Sequence, residues 1–151
     1  MMQKIILRRA GMEDQDILLA WRNDPLTRSQ SRNTGKIPQE EHKKWLKKTL
    51  QNPNRQLFIA ETAGIPVGTV RADYSENSCE LSWTVSPSAR GKGVGKRMVA
   101  LVAQSIKTLI TARIKVGNTA SERIAAHIGM KLKYEKDAML YFERPQLKTA
   151  P

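Results

Sequence analysis

The chain has 151 residues, 40% of them hydrophobic and 26% charged, a make-up that predicts one soluble domain around one core and excludes a disordered or fibrous class. A single cysteine, Cys79, and two histidines, His42 and His127, offer no intramolecular disulfide and no metal-ligand spacing, so no metal is expected; nor is any apolar run long enough for a signal peptide or membrane span, which predicts no membrane partner and a cytoplasmic location. With 26 Lys and Arg against 14 Asp and Glu, the net charge of +12 biases encounter toward nucleic acid, a ribosomal surface or phosphorylated small molecules.

Residues 3–9 read as a strand. A helix over about 12–22 follows, with Ile17, Leu18 and Trp21 on one face. Segment 23–38 is polar and basic at Arg28, Arg32 and Lys36, and reads as a loop able to cover a site. A second helix, about 39–51, sets His42, Trp45, Leu46, Thr49 and Leu50 at helical spacing and ends at Asn52-Pro53-Asn54. Strands over about 56–62 and 65–73 join as a hairpin through Gly64.

From Cys79 to Val85 the side chains alternate, with Cys79, Leu81, Trp83 and Val85 on one face and Glu80, Ser82 and Thr84 on the other. Pro87 blocks continuation of that strand. A glycine-rich turn then opens a helix whose stripe is Val94, Met98, Leu101, Val102, Ser105, Ile106 and Leu109. A strand at 112–117, a short helix at 119–128 and a closing pair at 131–136 and 138–144 complete the chain, with no internal repeat or linker.

The run Arg90-Gly91-Lys92-Gly93-Val94-Gly95 puts three glycines at the mouth of a helix, where backbone can approach a ligand without side-chain obstruction. Free N–H groups, the helix dipole and the charges of Arg90, Lys92, Lys96 and Arg97 together suit a pyrophosphate. A Walker loop is excluded because position 90 is Arg and Arg97 follows Lys96; the dinucleotide pattern fails because Lys96 stands where glycine is required. An ordinary turn with solvated lysines would read the same over this stretch alone. The basic residues are scattered and aromatics are only 5%, so nucleic acid is the disfavoured anion, and a non-enzymatic nucleic-acid-binding module is the weakest reading.

The stretch Glu80 to Gly95 resembles the core of the GNAT superfamily of N-acetyltransferases: Arg90, Gly93 and Gly95 match its Arg/Gln-x-x-Gly-x-Gly/Ala signature between a Val-x-Pro strand end and a helix. Asn118, followed eleven residues later by Gly129-Met130, resembles the family's second motif. The resemblance implies an α/β fold whose mixed, mostly antiparallel sheet of six to seven strands splays at the cofactor site, flanked by about four helices. It implies acetyl-CoA as cosubstrate, held by Thr84 and Val85 on the strand, by Arg90, Gly91, Lys92, Gly93, Val94, Gly95 and Lys96 at the pyrophosphate, and by Asn118 and Ser121. The expected organisation is a single acetyltransferase domain over 1–151, with an acceptor side at 1–55 and the acetyl-CoA core at 56–144. No motif specifies an oligomeric state.

Within the first 55 residues, Trp21-Arg22-Asn23-Asp24, Arg28 and Glu40-Glu41-His42 with Trp45 are similar to N-acetyltransferases of amino-sugar nucleotides, including those of pseudaminic acid synthesis. Both tryptophans also fit simple burial. The likeness makes Arg22, Arg28 and Arg32 candidates for binding a small anionic amine acceptor, since fixed guanidinium groups suit a diphosphate. A protein N-terminus or ribosomal protein is the alternative acceptor.

Acetyl transfer needs a base to free the amine lone pair, and Glu80 on the polar strand face is the candidate; an exposed strand glutamate is the structural alternative. Backbone near Val85 would hold the thioester carbonyl. Cys79, on the apolar face, is expected in the core. Many relatives carry a tyrosine acid seven residues after the motif asparagine, but this chain has Ala125 there. His127, Tyr134, Tyr141 and solvent are then the available proton sources.

Overall fold

The computed structural model describes residues 3–148; the first two and last three residues of the expected domain lie outside that range. Strand β1 (Ile5–Arg9) leads through a short turn at Met12–Asp14 into helix α1 (Gln15–Asn23). Helices α2 (Pro25–Ser29) and α3 (Gln39–Gln51) follow, then β2 (Arg55–Thr62), β3 (Ile65–Tyr74) and β4 (Ser78–Val85). The second half runs α4 (Val94–Ala103), β5 (Leu109–Lys115), α5 (Thr119–His127), β6 (Lys131–Lys136) and β7 (Met139–Arg144).

All seven strands form one sheet in the order β1-β2-β3-β4-β5-β7-β6. Every neighbouring pair is antiparallel except β4 with β5. That parallel pair meets only at Ser78–Leu109, Cys79–Ile110 and Glu80–Thr111, although β4 continues to Val85 and β5 to Lys115. The sheet therefore splays open past Glu80, as expected. Along that stretch the edge of β4 that faced β5 has lost its partner, leaving backbone groups free to pair with an extended ligand.

Alternation along the strands builds a core on each face of the sheet. On one, Val70, Ala72, Cys79, Leu81, Ile110, Ala112 and Phe142 pack with Met98, Val99 and Val102 of α4 and Ile124 and Ala125 of α5. On the other, Leu57 and Ile59 of β2 pack against Leu18, Trp21 and Leu46 of α1 and α3. Both tryptophans of the first 55 residues serve this second core, Trp21 buried and Trp45 packed against it.

Two helix expectations need correction. The segment 23–38 is not all loop: Asp24 caps α2 by accepting from the Thr27 amide at 3.1 Å, and Pro25 stands at the first turn. Helix α4 is shorter than its stripe suggested. It ends at Ala103, Leu109 already belongs to β5, and Leu101 is exposed whereas Val99 and Ala103 are buried. The buried Arg144 accounts for the stop, donating to the carbonyls of Ala103 (3.4 Å), Ile106 (2.7 Å) and Thr108 (2.9 Å). A cation there satisfies the Ala103 carbonyl at the helix end and the two loop carbonyls that follow it. The described residues hold five α-helices, in keeping with the expected fold of about four helices flanking the sheet.

Candidate active site

Helix α4 begins in a backbone shaped by glycine. Gly91 and Gly93 have φ of +76° and +75°, and a Cβ at either would meet no atom within 4 Å. The positive φ and the open side are what a phosphate-binding turn requires. Gly95 serves packing instead, since a Cβ there would lie 2.5 Å from Ile124 Cδ1 and 3.1 Å from Val85 Cγ2. Its bare backbone lets α4 meet α5 and β4.

A cleft of about 460 Å³ opens over this turn. Of the expected cofactor residues, Thr84, Val85, Arg90, Gly91, Gly93, Val94, Gly95, Lys96, Asn118 and Ser121 line it, and Lys92, exposed beside them, does not. The Asn118 side chain caps α5 by accepting from the Ser121 amide at 3.2 Å. Trp83 donates from Nε1 to Ser121 Oγ at 3.1 Å, tying the free end of β4 to the first turn of α5 across the splay. The turn, the unpaired edge of β4 and the start of α5 fit the pyrophosphate and extended arm of a coenzyme A molecule.

Arg90 does more than the signature suggests. It pairs with Asp24 and donates to Thr27 Oγ1 at 3.1 Å, joining α2 to the glycine turn. The Arg90 guanidinium holds the Asp24 carboxyl below the usual carboxylate range.

A second cleft, of about 390 Å³, shares Gln30, Ser31, Trp83, Thr84, Asn118 and Ser121 with the first. The two are halves of one groove that meet at the splay. Glu80, Arg22 and Arg32 line the second half. Arg28 does not; its Nε donates to the Thr34 carbonyl at 3.2 Å and steadies the segment after α2. Glu80 is gripped by Arg113, whose Nε and Nη2 reach its two oxygens at 2.7 and 3.2 Å. This pairing raises the pKa of Arg113 further. Arg113 escaped the sequence reading because it sits on the polar side of an alternating strand, where an arginine ordinarily meets solvent.

Arg22 is the electrostatic exception in this half. Its Nη2 donates to the Asn33 carbonyl at 2.9 Å, but its Nη1 is buried without a partner. Burial and the neighbouring Arg28 lower its pKa. The candidate proton donors separate clearly: His127 and Tyr134 are exposed and outside both halves and Tyr141 lines the second half, while Ala125, where relatives carry the tyrosine, is fully buried. Cys79 is fully buried and its thiol is pushed up to about 11, mainly by burial, consistent with a core residue.

A family profile for the acetyltransferase (GNAT) domain matches residues 4–131, and the chain belongs to this family of N-acetyltransferases, which use acetyl-CoA as cosubstrate. Among solved structures, a domain from Methanocaldococcus jannaschii DSM 2661 is similar at 24% identity and TM-score 0.82, over 95% of this chain and 99% of that one. Spermidine N-acetyltransferase from Vibrio cholerae, solved with CoA and spermine, is similar at 15% identity and TM-score 0.80, over 94% and 95% of the two chains. Ribosomal-protein-alanine N-acetyltransferase from Brucella melitensis is similar at 23% identity and TM-score 0.76, over 93% and 99%. A comparison with curated protein sequences finds no match. Among the described residues there is no cluster able to hold a metal ion and no helix long and apolar enough to cross a membrane.

Proposed function

We propose that this chain transfers an acetyl group from acetyl-CoA to the primary amine of a small anionic acceptor, a nucleotide-linked amino sugar. The cationic lining of this half of the groove carries this reading: Arg22 lines it, and its buried Nη1 has no partner. Arg71 and Arg113 in the same half are answered by Asp73 and Glu80, whereas the Arg22 guanidinium meets no carboxylate. A buried donor left unpaired is costly, and a ligand phosphate removes that cost. Arg22, Arg32, Arg71, Arg113 and Lys115 line this half against the single carboxylate of Glu80. Polycations such as the spermine bound by the Vibrio cholerae protein would be repelled by such a lining. The net charge of +12 supports a second reading, a protein acceptor presented on the anionic surface of a ribosome.

Acetyl-CoA supplies an activated thioester. The chain's residues position it and handle the proton: the free edge of β4 orients the extended arm, the glycine turn binds the pyrophosphate, and Glu80 takes the amine proton directly or through water. Arg113 is a positioning residue that fixes both carboxylate oxygens of Glu80. Replacing Arg22 and Arg32 together with Ala should raise KM for a nucleotide-linked amino sugar at least about tenfold while acetyl-CoA affinity stays unchanged. An unchanged acceptor KM in the folded double variant would remove the anionic-acceptor reading.

A further inference from the structure

Tyrosines are scarce in this chain, three of 151 residues, yet two of them stack against each other at one corner of the sheet. Tyr134 of β6 and Tyr141 of β7 are register partners, with ring centroids 4.4 Å apart and planes 14° from parallel. Neither fills a core. Tyr134 is 53% exposed, and Tyr141 lies on the half-buried side of β7 while Leu140 and Phe142 take the buried side. A cross-strand aromatic pair stabilises the edge of a sheet, and the location of this one gives it a second use. Tyr141 and its neighbour Met139 line the acceptor half of the groove. Across the β5–β7 ladder Tyr141 stands opposite Arg113, and Met139 opposite Lys115.

We propose that Tyr141, backed by Tyr134, is the wall on which the acceptor's nucleobase rests, with Arg113 and Lys115 beside it facing the diphosphate. This rests on the reading of the acceptor as a nucleotide-linked amino sugar and assigns the nucleoside half of that molecule its place. An aromatic surface accepts the face of any base. Cations next to it suit the phosphates that a nucleotide carries one sugar away. The Tyr134 ring limits the motion of Tyr141 before any ligand arrives, so less freedom is lost on binding. Arg113 is likewise fixed in advance by the two oxygens of Glu80. The arrangement places the nucleobase at the outer, sheet-corner end of the groove and leaves the stretch from Glu80 to the cofactor half for the amine.

The test uses the whole chain saturated with CoA, so that a nucleotide cannot enter the cofactor half, and measures binding of uridine diphosphate and of inorganic pyrophosphate by calorimetry. The wall predicts that uridine diphosphate binds about tenfold or more tightly than pyrophosphate, the discrimination expected of one base–aromatic contact. Tyr141→Ala should abolish that advantage and leave pyrophosphate affinity unchanged, while Tyr141→Phe should keep the advantage. If pyrophosphate binds and uridine diphosphate binds no better, or if Tyr141→Ala weakens both alike, the wall is overturned and the anionic-acceptor reading stands. If neither anion binds, that reading fails and the wall falls with it.

Discussion

At Gly93 the backbone is left-handed and the space a side chain would enter is open, which separates two effects of substitution. Asn and Asp both tolerate this conformation better than other residues and are nearly the same size. Gly93→Asn should weaken acetyl-CoA binding modestly; Gly93→Asp, which adds a charge against the pyrophosphate, should weaken it about tenfold further. Equal affinities in the two variants, measured by calorimetry, would take the pyrophosphate away from this turn. Glu80 allows an equally sharp experiment. Glu80→Gln should lower kcat about a hundredfold or more with acetyl-CoA affinity intact, because a carboxamide cannot accept the amine proton. A wild-type kcat at neutral pH would make Glu80 only the partner of Arg113. The glycine motif, which alone would read as an ordinary turn, was legible because it stands between a Val-x-Pro strand end and a helix and is followed by the Asn118 motif. Arg113 and the Arg90–Asp24 pair were not, since contacts across 33 and 66 residues leave no local trace.

Among the elements, α3 was readable to the residue, Gln39–Gln51, because its amphipathic stripe is bounded by Pro38 and by Asn52-Pro53. Helices α2 and α4 misled for opposite reasons. The cap and proline that start α2 are hidden in a basic, polar run, and the apolar spacing of α4 continues by coincidence into Ile106 and the start of β5. Helix α3 also carries a pH-sensitive contribution to stability. His42 is buried, and burial together with the Arg22 guanidinium lowers its pKa from the usual 6.5. The folded chain thus favours neutral imidazole, and as pH falls the unfolded chain takes up the proton first. Stability from this site is complete above about 6.5 and declines as pH drops below that value. Urea unfolding at pH 7.5 and 5.5 should show a loss that His42→Gln reduces; an identical loss in the variant would contradict the assignment. Asp14, lowered mainly by its Arg8 ion pair, acts in a separate window, below its ordinary 3.8.

For the whole molecule, alternation, a proline stop and a glycine turn made the strands and the helix mouth legible in one continuous stretch, while the splay and the acetyl-CoA core came from the resemblance to the GNAT family. The proposed acceptor half comes from α1, the segment after α2, β3, β4, β5, the start of α5 and β7, and only folding brings those distant residues together. The net charge of +12 pointed to an anion without locating it; the second half of the groove gathers Arg22, Arg32, Arg71, Arg113 and Lys115 around the single carboxylate of Glu80. Added salt should therefore raise acceptor KM more than it affects the chemical step. The most direct measurement is initial-rate release of free CoA from acetyl-CoA with three acceptors: a nucleotide-linked amino sugar, spermine and a ribosomal-protein N-terminal peptide. The account predicts that kcat/KM is highest for the amino sugar and negligible for spermine. Efficient turnover of the peptide or of spermine with no turnover of any nucleotide-linked amino sugar would contradict it.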